Sequence, residues 1–245
     1  MNHQTLHLID FARDAAHYIM ERARTAIAER GLFRLSLAGG NTPREVYAAM
    51  ADVGGNFPWN KVQITFSDER CVAPHDKDSN FRMAQASLLS IMPIPGGNVF
   101  RIRGEIEPEV AAMECEAKLA AVASRFGEQR YAHDLILLGL GPDGHTASLF
   151  PHTTALQAGE RNAVANYVDK FKAHRITLTA ATINNARNVT FLAAGEDKAE
   201  TLRNVLEGSY QPDVYPSQLI RPRNGTLLWL VDETAACMLN EFKQG

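Results

Sequence analysis

The sequence predicts an α/β protein in which helices cover both faces of a parallel β-sheet. Short apolar runs, typical of buried strands, alternate along the chain with segments of helical period, and this order favours right-handed βαβ units. A length of 245 residues is enough for one large domain with a substantial core, and no repeat or linker divides the chain. We therefore expect residues 1–245 to form a single domain.

The predicted elements follow in regular order. Apolar side chains four residues apart predict a first helix over about residues 10–29, and Gly31 ends it. Short apolar runs predict strands at Phe33–Leu37, Val62–Phe66, 99–102, 135–138, 175–179, 189–193 and 227–231. One further helix is predicted after Pro43 and runs through Met50, and another begins at Asp78. Three more are predicted over residues 109–126, 198–206 and 233–242. The irregular segments 151–170 and 208–224 are expected to be surface loops.

Composition and charge exclude several classes of protein. The net charge of −3 gives no indication of a nucleic-acid or membrane surface. Three widely separated cysteines form neither a disulfide framework nor a zinc motif, which is typical of a reducing compartment. No signal-peptide pattern is present, and no apolar run approaches the ~20 residues that span a bilayer. We expect a cytoplasmic protein.

The segment that follows the predicted strand 135–138 carries the strongest functional signal. It contains three glycines together with Asp143 and His145. Loops at the carboxyl ends of buried strands bind ligands in open α/β proteins, and a histidine beside an acid can transfer a proton near neutral pH. Residues 139–144 also match the pattern G-x-G-x-x-G of dinucleotide-binding loops. We reject that interpretation, because Pro142 has no backbone N–H to donate to a pyrophosphate and the Asp143 carboxylate would repel it. We therefore predict a proton-transfer site.

A second loop, after the strand Phe33–Leu37, has the composition of an anion site. Gly39 and Gly40 allow close approach of backbone N–H groups, and Asn41 follows them. Thr42 is suited to the N-cap and Pro43 to the first helical position, so the helix would present free N–H donors. The same residues also suit a plain strand-to-helix turn, and the loop lacks the lysine of a nucleotide P-loop.

Charged residues follow two other predicted strands. Asp68 and Arg70 come directly after the predicted strand Val62–Phe66. A guanidinium there is suited to bind phosphate, and a carboxylate is suited to accept hydrogen bonds from sugar hydroxyls. The alternatives are a cluster of surface charges, or Asp68 as a helix cap. Glu69 between them is assigned to structure. Lys198 lies in a predicted first helical turn, where the dipole disfavours a cation, and Arg175 begins a strand. Both could bind an anion, or be solvated surface cations.

The histidines have no metal-ligand spacing and no G-x-S-x-G motif is present. A base-like histidine, carboxylates and several anion-binding features together indicate a small phosphorylated substrate, handled by proton transfer or water activation.

Six segments closely resemble the 6-phosphogluconolactonase family, in order and from about residue 36 to residue 232. They are SLAGGNTP (36–43), FSDER (66–70), DSN (78–80), GLGPDGHTASLFP (139–151), RITLT (175–179) and GEDK (195–198). The resemblance implies hydrolysis of 6-phospho-D-glucono-1,5-lactone to 6-phosphogluconate, the second step of the oxidative pentose phosphate pathway, without metal or cofactor. It also implies a three-layer α/β/α sandwich on a mainly parallel sheet, shared with glucosamine-6-phosphate deaminase.

The resemblance implies roles for particular residues. His145 would be the general base that takes a proton from the attacking water. Asp143 would hold or polarise His145, and Asp68 would contact sugar hydroxyls or the water. The phosphate would be bound by Gly39, Gly40, Asn41, Thr42, Arg70 and Lys198, with Arg175 as a further cation. The expected partner is a small phosphorylated sugar lactone, bound by a monomer or a small homo-oligomer.

Two alternatives remain. The related deaminase and isomerase family shares the loop around His145, but there an Asn-Glu-Pro segment follows, whereas residues 146–151 contain no acid. Arg70 also stands where deaminases usually have an aromatic residue. A non-catalytic sugar-phosphate sensor would carry a DNA-binding segment before the first predicted strand, where only one helix has room. Asn41 departs from the serine common in lactonases, which affects only a side-chain contact to phosphate.

Overall fold

Nine strands and seven α-helices lie within residues 3–240, the part of the chain that the computed structural model describes. The strands are β1 (Gln4–His7), β2 (Phe33–Leu37), β3 (Val62–Phe66), β4 (Asp68–Arg70), β5 (Leu135–Gly139), β6 (Ala163–Val168), β7 (Ala173–Leu178), β8 (Asn188–Ala193) and β9 (Thr226–Val231). The helices are α1 (Phe11–Arg30), α2 (Asn41–Val53), α3 (Asn80–Ala84), α4 (Pro108–Arg125), α5 (Ala180–Ile183), α6 (Ala199–Leu206) and α7 (Glu233–Ala236).

Six of the strands form the large sheet, which is parallel throughout and has the order β1-β9-β8-β5-β2-β3. Along β5, Leu135 and Leu137 belong to one hydrophobic cluster, whereas Ile136 and Leu138 belong to another, because successive side chains point to opposite faces. Helices α1 and α2 pack into the first cluster, and α6 and α7 into the second. The predicted α/β/α fold is therefore confirmed.

Three strands form a separate small sheet with the order β4-β7-β6, paired in antiparallel fashion. The chain passes from the large sheet to the small one at Ser67, whose N–H donates to the Leu37 oxygen and whose own oxygen accepts from the N–H of Leu178, both at 2.8 Å. The prediction that residues 175–179 extend the parallel sheet is wrong, because β7 pairs only within the small sheet. The prediction that residues 151–170 are a loop is wrong too, since β6 lies there.

Other boundaries also differ from the prediction. The edge strand β1 was not predicted, because its side chains are largely exposed and leave no apolar run. The expected strand at 99–102 is only an isolated bridge between Val99 and Ile64. Helix α7 ends at Ala236, and residues 241 and 242 of the helix predicted there lie outside the described residues. Within residues 3–240, no helix combines the length and hydropathy needed to cross a membrane.

Candidate active site

A polar cavity of about 240 Å³ lies at the carboxyl ends of β2, β3 and β5. In the large sheet β2 lies between β3 and β5, so the direction in which successive strands are added reverses at β2. The cavity is at this topological switch point, where open α/β sheets bind ligands. Its lining residues are Ala38, Gly39, Gly40, Ser67, Asp68, Arg70, Gly139, Leu140, Gly141, Pro142, His145, Ala147 and Lys198. Six of the ten residues predicted for the site are among them.

Four predicted residues, Asp143, Asn41, Thr42 and Arg175, lie outside this lining. A larger depression of about 540 Å³ lies beside α1 and α2, but Arg24 is the one titratable residue in its described lining. The smaller cavity is therefore the candidate site on chemical grounds.

His145 is held in the cavity by Asp143 and by an aromatic ring. Its Nδ1 contacts the Oδ1 of Asp143, and Phe150 stacks on the imidazole with ring centroids 4.0 Å apart. The backbone N–H of Gly141 donates to the His145 oxygen at 2.9 Å. A Cβ at Gly141 would overlap the imidazole, which explains the glycine. Because Nδ1 is occupied by Asp143, the other ring nitrogen, Nε2, is the one left for a ligand.

Asp143 bridges His145 to a lysine from the small sheet. Its Oδ2 accepts from Lys170 Nζ at 3.1 Å, while its Oδ1 contacts the imidazole. Partial burial opposes the charged form of the carboxyl, but the His145 contact and the Lys170 ammonium outweigh it and hold the pKa of Asp143 well below its usual value. Asp143 is thus a carboxylate throughout the neutral range.

Asp68 is buried at the cavity, and both of its carboxylate oxygens are hydrogen bonded. Asn80 Nδ2 donates to Oδ1 at 2.9 Å, and Ser148 Oγ donates to Oδ2 at 2.6 Å. The Asn80 amide occupies the space where a Cβ on Gly39 would stand, so the glycine loop and Asp68 depend on each other. These two donors fix the carboxylate in place, and each oxygen retains one acceptor site for a ligand.

Ser148 attaches the His145 loop, defined here as residues 140–151, to the small sheet. In addition to its bond to Asp68, its N–H donates to Thr177 Oγ1 at 3.1 Å and its oxygen accepts from Asn166 Nδ2 at 2.8 Å. The preceding residue, Ala147, has a φ of 48°, which is costly for a residue with a side chain. The three hydrogen bonds of Ser148 help to hold this conformation.

Glu69 is a structural residue, in agreement with its assignment from the sequence. Its carboxylate accepts from the backbone N–H groups of Arg70, Asn80 and Phe81, each at 2.8 Å, and from Ser79 Oγ at 3.1 Å. Burial nevertheless raises the pKa of Glu69, because the cost of desolvation exceeds the effect of these donors. The side chain organises the start of α3, which brings Asn80 to Asp68.

Cations approach the cavity from two directions. Arg70 lines it and donates from Nη1 to the Asp78 oxygen, while its buried Nε has no partner among the described residues. Arg175 lies directly opposite Arg70 in the β4–β7 pairing, and burial together with the Arg70 charge lowers the pKa of Arg175. Lys198 lines the cavity from the opposite side, with its Nζ 2.7 Å from Asp197 Oδ2.

The glycine loop differs in detail from the prediction. Gly40, with a φ of 107°, is the N-cap of α2, and the helix begins at Asn41. The prediction that Thr42 is the N-cap and Pro43 the first helical residue is therefore wrong. Pro43 is tolerated at the third position because N–H groups of the first turn have no partner within the helix. The first N–H groups of α2 have no acceptor within the helix, and they follow Gly39 and Gly40 directly.

Several residues of the site were not predicted. Ser148 and Phe150 belong to the motif around His145, so their position in the sequence was a usable signal. Asn166 and Lys170 come from the small sheet, and nothing local in the sequence indicates that they contact the His145 loop. Ser67 has a buried Oγ that has no partner among residues 3–240. In the same part of the chain, no three His, Cys, Asp or Glu side chains form a group that could hold a metal ion.

The chain matches the family model "Glucosamine-6-phosphate isomerases/6-phosphogluconolactonase" over residues 8–229. This chain belongs to that family of sugar-phosphate enzymes. It is 41% identical over 218 residues to a 6-phosphogluconolactonase of Synechocystis, with 89% of each chain covered. The 6-phosphogluconolactonase structure from Thermotoga maritima matches with a TM-score of 0.80 at 29% identity, covering 94% of this chain and 99% of that one.

A monomeric glucosamine-6-phosphate deaminase matches with a TM-score of 0.76 at 20% identity, covering 96% of this chain and 99% of that one. At this identity the match shows the fold alone, and it confirms the predicted likeness to the deaminase fold.

Proposed function

We propose that this protein hydrolyses 6-phospho-D-glucono-1,5-lactone to 6-phosphogluconate, with His145 as the general base. The observation that carries the proposal is the arrangement of one cavity. His145, with Asp143 behind it, lines the same space as two cations, Arg70 and Lys198, and the two glycines that precede α2. The 6-phosphogluconolactonases among the relatives of this chain support the choice of substrate. The reaction belongs to the pentose phosphate pathway.

The contact between His145 and Asp143 supports water activation by the imidazole. With Nδ1 donating to the Asp143 carboxylate, Nε2 is left as the acceptor for a proton from water. The hydroxide equivalent adds to the lactone carbonyl and the ring C–O bond breaks. The alkoxide leaving group then takes the proton from the His145 imidazolium, which restores the neutral base. Asp143 stabilises the imidazolium formed in the first step without itself accepting the proton.

The cations at the cavity support binding of the substrate phosphate there. Arg70 and Arg175 lie opposite each other on β4 and β7, where two like charges destabilise the pairing unless an anion lies between or beside them. The free N–H groups at the start of α2, next to Gly39 and Gly40, offer a further site for negative charge. We assign the phosphate to Arg70, Lys198 and residues 39–42, with Arg175 acting from behind Arg70.

Asp68 is assigned a role at the sugar. Its carboxylate is fixed by Asn80 and Ser148, and its remaining acceptor sites can receive hydrogen bonds from hydroxyl groups or from the attacking water. The oxyanion of the tetrahedral intermediate needs a donor that is free in the resting protein. The N–H of Gly141 already donates to the His145 backbone oxygen, so it is not free for this role.

We further propose that residues 1–245 act as one domain, because both sheets supply residues to the cavity. The large sheet supplies the loops after β2 and β5, whereas the small sheet supplies Asp68 and Arg70 on β4. The proposed chemistry uses only side chains, backbone N–H groups and water, so no metal is required.

The decisive experiment measures hydrolysis of freshly prepared lactone, coupled to 6-phosphogluconate dehydrogenase and corrected for spontaneous opening. Removing the base in His145→Asn should lower kcat by about 10²–10⁴-fold, the usual contribution of general-base catalysis. His152→Asn is the matched control, because His152 follows in the same segment and its φ of 58° is one that asparagine tolerates. Wild-type activity in this control is expected.

Two results would contradict the proposal. If wild-type protein fails to exceed the spontaneous rate, the lactonase assignment is wrong, and glucosamine-6-phosphate becomes the substrate to test. If wild type and His145→Asn hydrolyse the lactone equally, the activity stands and His145 is not the base.

A further inference from the structure

The tip of the β6–β7 hairpin, residues 169–172, lies against the His145 loop. A 3₁₀ turn over Asp169–Phe171 and a left-handed Lys172, with a φ of 48°, reverse the chain tightly. This conformation presents Lys170 and Phe171 to the His145 loop from outside the cavity. Neither residue belongs to the motifs that predict the site, and neither takes part in the proposed mechanism.

Lys170 contacts the Asp143–His145 pair directly, whereas Phe171 contacts it through Phe150. Lys170 Nζ is 3.1 Å from Asp143 Oδ2, on the oxygen that His145 does not use. The Phe171 ring meets Phe150 edge-on, with centroids 5.7 Å apart, and Phe150 in turn stacks on His145. The hairpin tip thus contacts the carboxylate directly and the imidazole through one intervening ring.

We infer that Lys170 is a positioning residue for the Asp143–His145 pair and that its charge sets the pH range in which His145 serves as the base. An ammonium on Oδ2 orients the carboxylate so that Oδ1 faces the imidazole. It also neutralises part of the negative charge that would stabilise the imidazolium. This inference rests on the proposed function, because it concerns the same base.

Other charges near the dyad remain constant when Lys170 is changed. Asp68, Arg70 and Lys198 face the same cavity from β4 and from the start of α6. On the hairpin, the Arg175 guanidinium lies over the Phe171 ring, 5.0 Å from its centroid. Because Lys170 is the cation on Asp143 Oδ2 in the described structure, a change confined to it should isolate its effect.

The test compares Lys170→Met, which removes the charge and keeps the aliphatic stem, with Lys170→Arg, which retains the charge. Lys172→Met is the matched control, since it removes an exposed charge from the same tip. The pH profile of kcat/KM for lactone hydrolysis is measured for each. We expect the acid limb of Lys170→Met to move to higher pH by about 0.2–0.7 units, the effect of a partly exposed ion pair. Lys170→Arg and Lys172→Met should retain the wild-type profile.

A second measurement does not depend on activity. Histidine labelled with ¹⁵N is followed by NMR during a pH titration, and the His145 signals are identified by their absence in His145→Asn. A higher titration midpoint in Lys170→Met than in wild type supports the inference, even if the lactone proves not to be the substrate. Coincident midpoints in these two proteins, or a uniform loss of kcat without a shifted profile, would overturn it.

Discussion

Ser148 Oγ lies 2.6 Å from Asp68 Oδ2, which joins two residues 80 positions apart in the sequence. Asp68 belongs to β4 of the small sheet, whereas Ser148 belongs to the loop that follows β5 of the large sheet. Because Asn80 holds the other oxygen of the same carboxylate, the loop that carries His145 is fixed relative to the strand that carries Arg70. The relative position of base and cation therefore depends on this hydrogen bond.

Removing the Ser148 hydroxyl should affect both stability and activity. In Ser148→Ala, the buried Asp68 carboxylate loses one donor, which costs about 1–3 kcal/mol. Urea unfolding should show a lower midpoint, and kcat/KM should fall because Asp68 is less well oriented. Ser124→Ala, on the exposed face of α4, is the control. Equal midpoints for the two variants would mean that Asp68 finds another donor.

Gly39 should tolerate no side chain. A Cβ there would overlap the Asn80 amide and displace it from Asp68, so Gly39→Ala is expected to lose most of its activity. Gly97→Ala is a suitable control, because nothing lies within 4 Å of the added Cβ in the 3₁₀ turn Gly96–Asn98. Initial rates at saturating and at low lactone separate an effect on kcat from one on KM. Normal kinetics in Gly39→Ala would contradict the described packing.

His133 should make stability depend on pH below neutrality. Burial, together with the charges of Arg34 and Arg187, lowers the pKa of His133 from its usual 6.5 to about 3. Between these values the unfolded chain binds a proton and the folded protein does not. Stability is therefore full above pH 6.5 and falls as the pH decreases, by up to about 1.4 kcal/mol per unit.

The variant His133→Gln tests this dependence by urea unfolding between pH 7 and pH 4, a range chosen about the pKa values above. Glutamine can retain the bond to Thr65 Oγ1, which lies 2.9 Å from His133 Nε2, but it cannot titrate. Its stability should fall less steeply with decreasing pH than that of the exposed-histidine control His75→Gln. Parallel curves would show that other groups dominate.

Removal of metal ions should leave the activity unchanged. The proposed chemistry needs a histidine base, preorganised N–H donors and cationic side chains, all of which the chain supplies. Dialysis against EDTA, followed by assay of kcat/KM in metal-free buffer, is the measurement. A loss of activity that an added divalent cation restores would contradict this prediction.

The sequence predicted the strands of the large sheet best where both faces are buried. Residues 135–138 and 227–231 form continuous apolar runs, because helices cover each side of the sheet. Strand β1 escaped prediction because it lies at an exposed edge, and β6 because the buried Asn166 interrupts its apolar pattern. Asn166 is stable there because it bonds to Ser148, a contact that local sequence cannot reveal.

The site was predictable to the extent that it uses loops of the parallel sheet. The carboxyl ends of β2, β3 and β5 share one edge, so motifs distant in sequence meet there, as Gly39, Asp68 and His145 do. The contribution of the β6–β7 hairpin was not predictable, because antiparallel pairing within the small sheet places Lys170 beside Asp143 through tertiary structure alone.

The single-residue passage between the two sheets has a consequence for protein engineering. Ser67 bonds through its backbone to both Leu37 and Leu178, so no flexible linker separates the sheets at this point. A chimera that takes the β6–β7 hairpin from a relative would have to take β4 with it, since β4 is the pairing partner of β7. Such an exchange would transfer Asp68 and Arg70 together with the hairpin and leave the glycine loop and His145 with the recipient.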